Sequence, residues 1–261
     1  MKFTLRGTSE NSQRVILSQV ILGTLSGIYF LFTGAYSYIW YAFIMFFFFN
    51  HFFHNVALHR YFSHKAFKTN KFWHIFMAMF SPLASAGSPY GYAMAHRTHH
   101  MHSDGEKDPT NLNQGLLNVA FFRWNLKHVP LPIMRSLGND KWIMLSHNYY
   151  VGIILLFWLT LMIIDVKLAL MYNLAGLFMF FEYCVINIVN HSKLPFSYRN
   201  HETKDNTTND LFTGLFCGDW HNNHHHKATN WNQRENWWEF DVPAQMIKMI
   251  KYDDADDKAY N

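Results

Sequence analysis

Cysteine is scarce. Cys184 and Cys217 are the only two in the chain, so there is no disulfide framework and no C-x-x-C metal or redox pair. Charge is sparse as well, at 15% of residues. Although the net charge is +4, the basic residues are scattered, and no stripe of Lys and Arg alternates with aromatics. That excludes nucleic acid as a partner. Residues 15–32, a run of 18, carry no charge at all. What is left for chemistry is histidine: there are 17, and nine of them fall in four short stretches.

Residues 1–14 are polar, with Lys2, Arg6 and Arg14, and lead into the uncharged run. A membrane-spanning helix needs about 20 residues. A cleavable signal peptide has an apolar core of about 7–15 residues and a small-residue cleavage site. Here a second apolar run follows at once, so a retained anchor is expected. Gly23 and Gly27 match G-x-x-x-G, which permits close helix approach, although a single match has chance as an equally good explanation. Residues 38–58 are mostly apolar but carry Asn50, His51 and His54 near their end. The long polar stretch 59–148 is interrupted by apolar residues 72–94, which Pro82, Gly87, Pro89 and Gly91 break. This insert is expected at the membrane interface or buried in the soluble part. Two further apolar runs, 149–164 and 168–189, are separated by Asp165-Val166-Lys167. Asp253, Asp254, Asp256 and Asp257 read as a solvated, frayed terminus.

The expected fold is therefore an all-α integral membrane protein, a single domain over 1–261. Four transmembrane helices, at about 15–33, 38–57, 149–164 and 168–189, form two hairpins. A helical cytosolic cap, 58–148 and 190–261, carries a histidine-rich di-metal site. Charge tests this topology: of the 22 Lys and Arg, three precede the first run, ten lie in 59–148, eight follow residue 190, and Lys167 alone occupies a connecting turn. The positive-inside rule makes the basic side, which holds every histidine cluster, cytoplasmic.

His96, His99 and His100 form H-x-x-H-H, and His221, His224 and His225 repeat it. At about 100° per residue, the first, fourth and fifth positions share one helical face, and such a face can hold a metal. His59 and His64 precede them, five residues apart and so about 140° apart on a regular helix. The two can face one site only where that helix bends, ends or bulges. His191 closes an apolar run, with Asn187 four residues earlier on the same face, within reach of the metal site directly or through a water. Glu182 lies inside the fourth apolar run, where its charge requires an interior position.

Imidazole suits zinc, copper, iron and nickel alike, but a zinc takes four ligands, or three and a water. Nine histidines exceed what one zinc uses. Two metals fit the count, and a pair of irons with four or five nitrogens each leaves positions for dioxygen and adds redox chemistry that zinc lacks.

At this point the residues resemble the membrane-bound fatty acyl desaturases, in the Δ9 acyl-CoA and acyl-lipid branch that includes stearoyl-CoA desaturases. The resemblance rests on HRYFSH at 59–64, HRTHHMHSDGEKDP at 96–109, Asn187 and His191 as N-x-x-x-H, GDWHNNHH at 218–225 and NWWEFD at 236–241. It implies two irons held by His59, His64, His96, His99, His100, His191, His221, His224 and His225, a water set by Asn187, and a tunnel for an extended acyl chain. It also implies an O2-dependent oxidoreductase that removes two hydrogens from adjacent methylenes to leave a cis double bond, at Δ9. Two places depart from the family pattern: Cys217-Gly218-Asp219 stands where a Gly-Glu-Gly type sequence is usual, and His226-Lys227-Ala228 replaces a proline-containing continuation. Both leave the ligand positions intact and leave chain-length and head-group preference open.

The partners implied are an acyl-CoA or acyl-lipid substrate and membrane lipids. No fused cytochrome-like domain is expected, and an external donor of ferredoxin, rubredoxin or cytochrome type, with its reductase, is expected instead. The location implied is the bacterial inner membrane or the endoplasmic reticulum, with the site facing the cytoplasm. Asp104 and Asp108 can support ligand imidazoles, and Trp220, Trp237 and Trp238 can line the acyl path. The alternatives are a hydroxylase, ketolase or decarboxylase on the same scaffold, or a non-enzymatic membrane metal or haem protein. Haem would need axial histidines inside the helices, whereas these cluster at the helix ends.

Overall fold

The computed structural model describes residues 4–195, 197–211 and 220–252. Cys217-Gly218-Asp219 and the acidic carboxyl-terminal run lie outside them. The described residues are helical, with no strand beyond two isolated bridges, Thr69 with Lys251 and Tyr198 with Asn209.

Helix α1 (Ser9–Phe32) begins at Thr8, whose hydroxyl accepts from Asn11 N at 3.3 Å, an N-cap. Helix α2 (Tyr36–Phe48) continues without a break into a π-helix, Phe49–Ser63. Next come α3 (Lys71–Phe80), α4 (Pro89–His102), and the short α5 (Leu116–Ala120) and α6 (Leu131–Gly138). Then follow α7 (Lys141–Asn148), α8 (Tyr150–Ile164), α9 (Val166–Asn187), α10 (His221–His226) and α11 (Val242–Ile250).

Three helices are long and apolar enough to cross a bilayer: Ser9–Phe32, Tyr36–Ser63 and Val166–His191. The third apolar run forms α8, only 15 residues long, which meets α7 at a bend of 69°. The second span runs past the expected end at 57 to Ser63, because the π-helix carries it through the polar residues Asn50, His51, His54 and Asn55. All four are buried. The buried face of α1 is mostly small or polar, with Asn11, Ser12, Gln19, Gly23 and Ser26 beside Ile16 and Phe30, while Leu17, Ile21, Leu25 and Leu31 are exposed. In water that surface would be unfavourable; against lipid it is the favourable arrangement, because small and polar residues join the helices.

The first and last spans, α1 and α9, pack most extensively, and α2 and α8 also pack on α9, so α9 is the centre of the bundle. A Cβ on Gly23 would lie 2.5 Å from Asn173 O and 2.7 Å from Leu177 Cβ. Gly23, the first glycine of the G-x-x-x-G match, is thus a close helix contact, whereas Gly27 is not. Within the apolar insert 72–94, the segment between α3 and α4, residues 81–88, is buried, and the carbonyls of Leu83 and Ala84 accept from Tyr172 and Tyr183 of α9. Those phenols satisfy backbone groups that an apolar bundle would otherwise strand.

Candidate metal centre

The π-helix resolves the angular problem of His59 and His64. An i→i+5 ladder has more residues per turn than an α-helix, which brings residues five apart closer to one face. Here His64 N donates to His59 O at 3.1 Å and the Ser63 hydroxyl to Leu58 O at 2.7 Å. Arg97, inside the second histidine motif, donates to the end carbonyls of this helix, Ser63 O at 2.6 Å and Phe62 O at 2.7 Å, which have no partner within the helix.

Helix α4 starts at a Ser88 N-cap, with Pro89 at its first position, and presents His96, His99 and His100. Helix α10 has six residues, too few to stand alone. Its two asparagines anchor it: Asn222 Oδ1 accepts from Asn200 N at 3.0 Å and His201 N at 2.9 Å, and Asn223 Nδ2 donates to Glu239 Oε2 at 3.0 Å. The opposite face is free to carry His221, His224 and His225. His191 ends the single turn that follows α9.

All nine histidines meet in two adjoining groups, each able to hold a metal ion. One contains His59, His64, His96, His100 and His224; the other contains His99, His191, His221 and His225. Each H-x-x-H-H is divided between them. In α4 the i, i+4 pair His96 and His100 serves the first group while His99 serves the second. In α10 the pair His221 and His225 serves the second while His224 crosses to the first. Where the groups adjoin, the His100 and His225 rings stack at 4.3 Å.

In the five-histidine group, Nε2 to Nε2 separations are 2.9 Å for His59 and His224, 2.8 Å for His64 and His96, 3.0 Å for His96 and His100, and 2.9 Å for His100 and His224. In the four-histidine group they are 2.9 Å for His191 and His221 and 3.3 Å for His99 and His225. Nitrogens about 2.0–2.1 Å from one metal stand about 2.9–3.4 Å apart at right-angle to tetrahedral geometry. The donor set fits a metal in each group.

Three aspartates orient the four-histidine group by accepting from Nδ1. Asp108 takes His99 at 2.9 Å, Asp104 takes His191 at 2.9 Å, and Asp205 takes His225 at 2.8 Å. With Nδ1 carrying the proton, Nε2 presents its lone pair to the site, as a ligand must. The bare Nε2 atoms of His99 and His225 face each other, an arrangement that a shared cation stabilises.

Burial dominates the electrostatics. It pushes His64 down to about 3 and His225 to about 4, and holds His96, His100, His221 and His224 well below the usual imidazole value. These rings are neutral. His99 is the exception: burial lowers it, but the carboxylates, Asp108 foremost, outweigh burial and raise it. Burial likewise opposes ionisation of Asp104 and Asp108, yet hydrogen bonds and charge from His191 and His99 bring both below the usual carboxylate range.

Asn187 belongs to neither group. It lines a cavity of about 40 Å³ beside both, together with His54, Tyr92, Trp124 and Tyr183, and its amide donates to Tyr183 O at 2.8 Å. Glu182 is fully buried in the bundle. Trp220 is buried, but Trp237 and Trp238 are exposed, at 81% and 45%, and do not line this cavity. Sequence reasoning missed Asp205 and Gln233, which reach His225 and His224 from loops with no motif of their own. It also left His54 without a role, although His54 Nε2 meets the Tyr92 hydroxyl at 3.0 Å in the cavity wall.

An all-helical described fold with bilayer-length apolar helices, ending in two groups of buried and half-buried imidazoles that could each hold a metal ion, defines the class of the chain. The chain belongs to the fatty acid desaturase family, whose model matches residues 35–240. It is 25% identical over 193 residues to an sn-1 stearoyl-lipid 9-desaturase of Anabaena variabilis, covering 71% of this chain and 70% of that protein. A protein of the same name from Synechocystis sp. is 25% identical over 202 residues, covering 71% of this chain and 60% of the relative. An icosanoyl-CoA 5-desaturase of Limnanthes douglasii is 28% identical over 204 residues, covering 71% and 54%. The chain spans less than two thirds of the length of these last two.

Proposed function

We propose that this chain is an O2-dependent di-iron desaturase that introduces a cis double bond, at Δ9, into a saturated acyl chain carried on lipid or CoA. The observation that carries the reading is the division of nine imidazoles into adjoining groups of five and four, more nitrogen ligands than one zinc uses. Relatives named as stearoyl-lipid 9-desaturases support the acyl-lipid substrate and the Δ9 position; the icosanoyl-CoA 5-desaturase supports CoA as the alternative carrier.

An iron pair bound there supplies the oxidising capacity by which O2, two electrons and two protons take two hydrogens from adjacent methylenes and leave as two waters. The chain's own residues prepare the site. Asp104, Asp108 and Asp205 fix three imidazoles in the ligating tautomer, and the π-helix brings His59 and His64 together. Asn187 is assigned the holding of a water, in a cavity with room for one or a few. Phe122, Trp124 and Tyr183 give that cavity apolar walls and limit access of bulk water to the reacting carbon.

In this reading 1–261 is one domain with four spans, the bent pair α7 and α8 being the fourth. The histidine side faces the cytoplasm of a bacterial inner membrane or endoplasmic reticulum, by the distribution of Lys and Arg. The electrons come from an external ferredoxin, rubredoxin or cytochrome-type carrier with its reductase. The test is the fatty-acid profile, by gas chromatography with mass detection, of cells expressing the intact chain or His99→Ala. A new monounsaturated species made only by the intact chain is expected, and its double-bond position reads out Δ9. Hydroxylated or shortened products would overturn desaturation while keeping the scaffold.

A further inference from the structure

We infer that the two histidine groups bind metal unequally, the four-histidine group tightly and the five-histidine group weakly, and that Gln233 is the positioning residue that sets the difference. This rests on the di-metal reading above.

The groups have unlike surroundings. Three carboxylates touch imidazoles of the four-histidine group: Asp108 on His99, Asp104 on His191 and Asp205 on His225. Among the described residues, no carboxylate touches an imidazole of the five-histidine group. Two arginines lie near it instead. Arg60 is neutralised by Asp241 at 2.8 and 2.9 Å, whereas Arg97 is held only by Phe62 O, Ser63 O and the Ser136 hydroxyl. A cation entering the first environment meets negative charge; among the described residues, one entering the second meets no carboxylate on its imidazoles.

Tautomer chemistry points the same way. The partner of His224 Nδ1 is not a carboxylate but the Gln233 side-chain amide, at 3.0 Å. An amide can usually turn to present either oxygen or nitrogen, but this one is fixed from its other end. Arg60 Nη2 approaches Gln233 Oε1 at 3.1 Å, and a guanidinium only donates. The oxygen must face Arg60, so the NH2 faces His224. His224 Nδ1 therefore accepts, and its proton resides on Nε2, the atom aimed at His59 and His100. For Nε2 to ligate, that proton must move to Nδ1. The amide must then turn over and give up Arg60. None of the three aspartate-backed histidines bears this cost.

Glutamate at 233 would reverse the arrangement, since a carboxylate accepts from Arg60 and from His224 Nδ1–H together. Partners of this kind typically change metal affinity about 10–100-fold.

The test is a titration of the full-length, metal-stripped protein in detergent with ferrous ion under anaerobic conditions, read by competition with a chromophoric chelator. Two unequal steps, one equivalent each, are expected. Gln233→Glu should tighten the weaker step at least about tenfold and leave the tighter one in place. Asp108→Asn should weaken the tighter step by a similar factor, which keeps the inference testable should either variant fold poorly. Two equivalents bound in one step, or a weaker step indifferent to Gln233→Glu in a folded variant, would overturn it. Fewer than two equivalents bound at saturation would instead overturn the di-metal reading.

Discussion

Arg60 and Asp241, 181 positions apart, form a two-pronged ion pair at 2.8 and 2.9 Å with about 1% of either side chain exposed. Asp241 also caps α11 through Ala244 N at 3.0 Å and accepts from Gln233 N at 2.8 Å. One carboxylate thus joins the first histidine motif, the loop behind His224 and the carboxyl-terminal helix. Asp241→Ala leaves a buried guanidinium without its counter-charge, and a loss of about 3–5 kcal/mol is expected. The check is unfolding of the detergent-solubilised protein. Arg60→Met with Asp241→Leu should recover much of that loss, because an apolar pair carries no stranded charge; a double variant no better than Asp241→Ala would refute the account.

Gly23 lets α1 meet α9 backbone to backbone. Gly23→Leu should cost about 1–3 kcal/mol by overpacking. Gly27→Ala should change little, since the nearest atom to its Cβ would be Leu174 Cδ1 at 3.3 Å, the end of a flexible side chain. Apparent melting temperatures of the two variants separate the cases, and equal losses at both positions would argue against a backbone contact at Gly23.

Asn187 lines the cavity without belonging to either histidine group. Asn187→Ala should therefore retain two metals per chain while turnover falls at least about tenfold. Metal analysis and product formation on the same preparation decide the point: loss of metal along with activity would make Asn187 a contributor to metal retention instead.

Acid should unfold the metal-free protein early. His64 and His225, held at about 3 and about 4 by burial, are neutral in the fold, whereas an unfolded chain protonates them near 6.5. Their contribution is complete above about 6.5 and is lost as pH falls from there through about 4 and 3. His99 has the opposite sign, raised by Asp108 against burial, so its contribution is present below about 6.5 and fades as pH rises through its folded value. Neutral buried rings outnumber it, so the melting temperature of chelator-treated protein should drop steadily from pH 7 to pH 4. A flat profile would contradict the burial described here.

Much of this was legible in the chain before any tertiary contact. Residues 15–32 carry no charge, and the helix there follows from the bilayer's demand that backbone groups pair internally. H-x-x-H-H spacing brought His96, His99 and His100 to one helical face, as periodicity requires. It did not indicate which imidazole serves which metal, because a face about 100° wide can border two sites. Nor was Gly23 distinguishable from a chance match, since only Asn173 and Leu177 on another helix give it a purpose.

The sequence by itself determined the apolar runs and the four histidine stretches, because both depend on local periodicity and transfer to lipid. Tertiary structure decided the rest. The five-residue spacing required an irregular helix at His59 and His64, and the structure decided that it is a π-helix. Packing of α10 against α4 divided nine imidazoles into five and four. Asp205, Gln233 and Arg60 acquired their roles through contacts up to 181 residues apart, and proximity across such separations is set by the packed bundle rather than by local order.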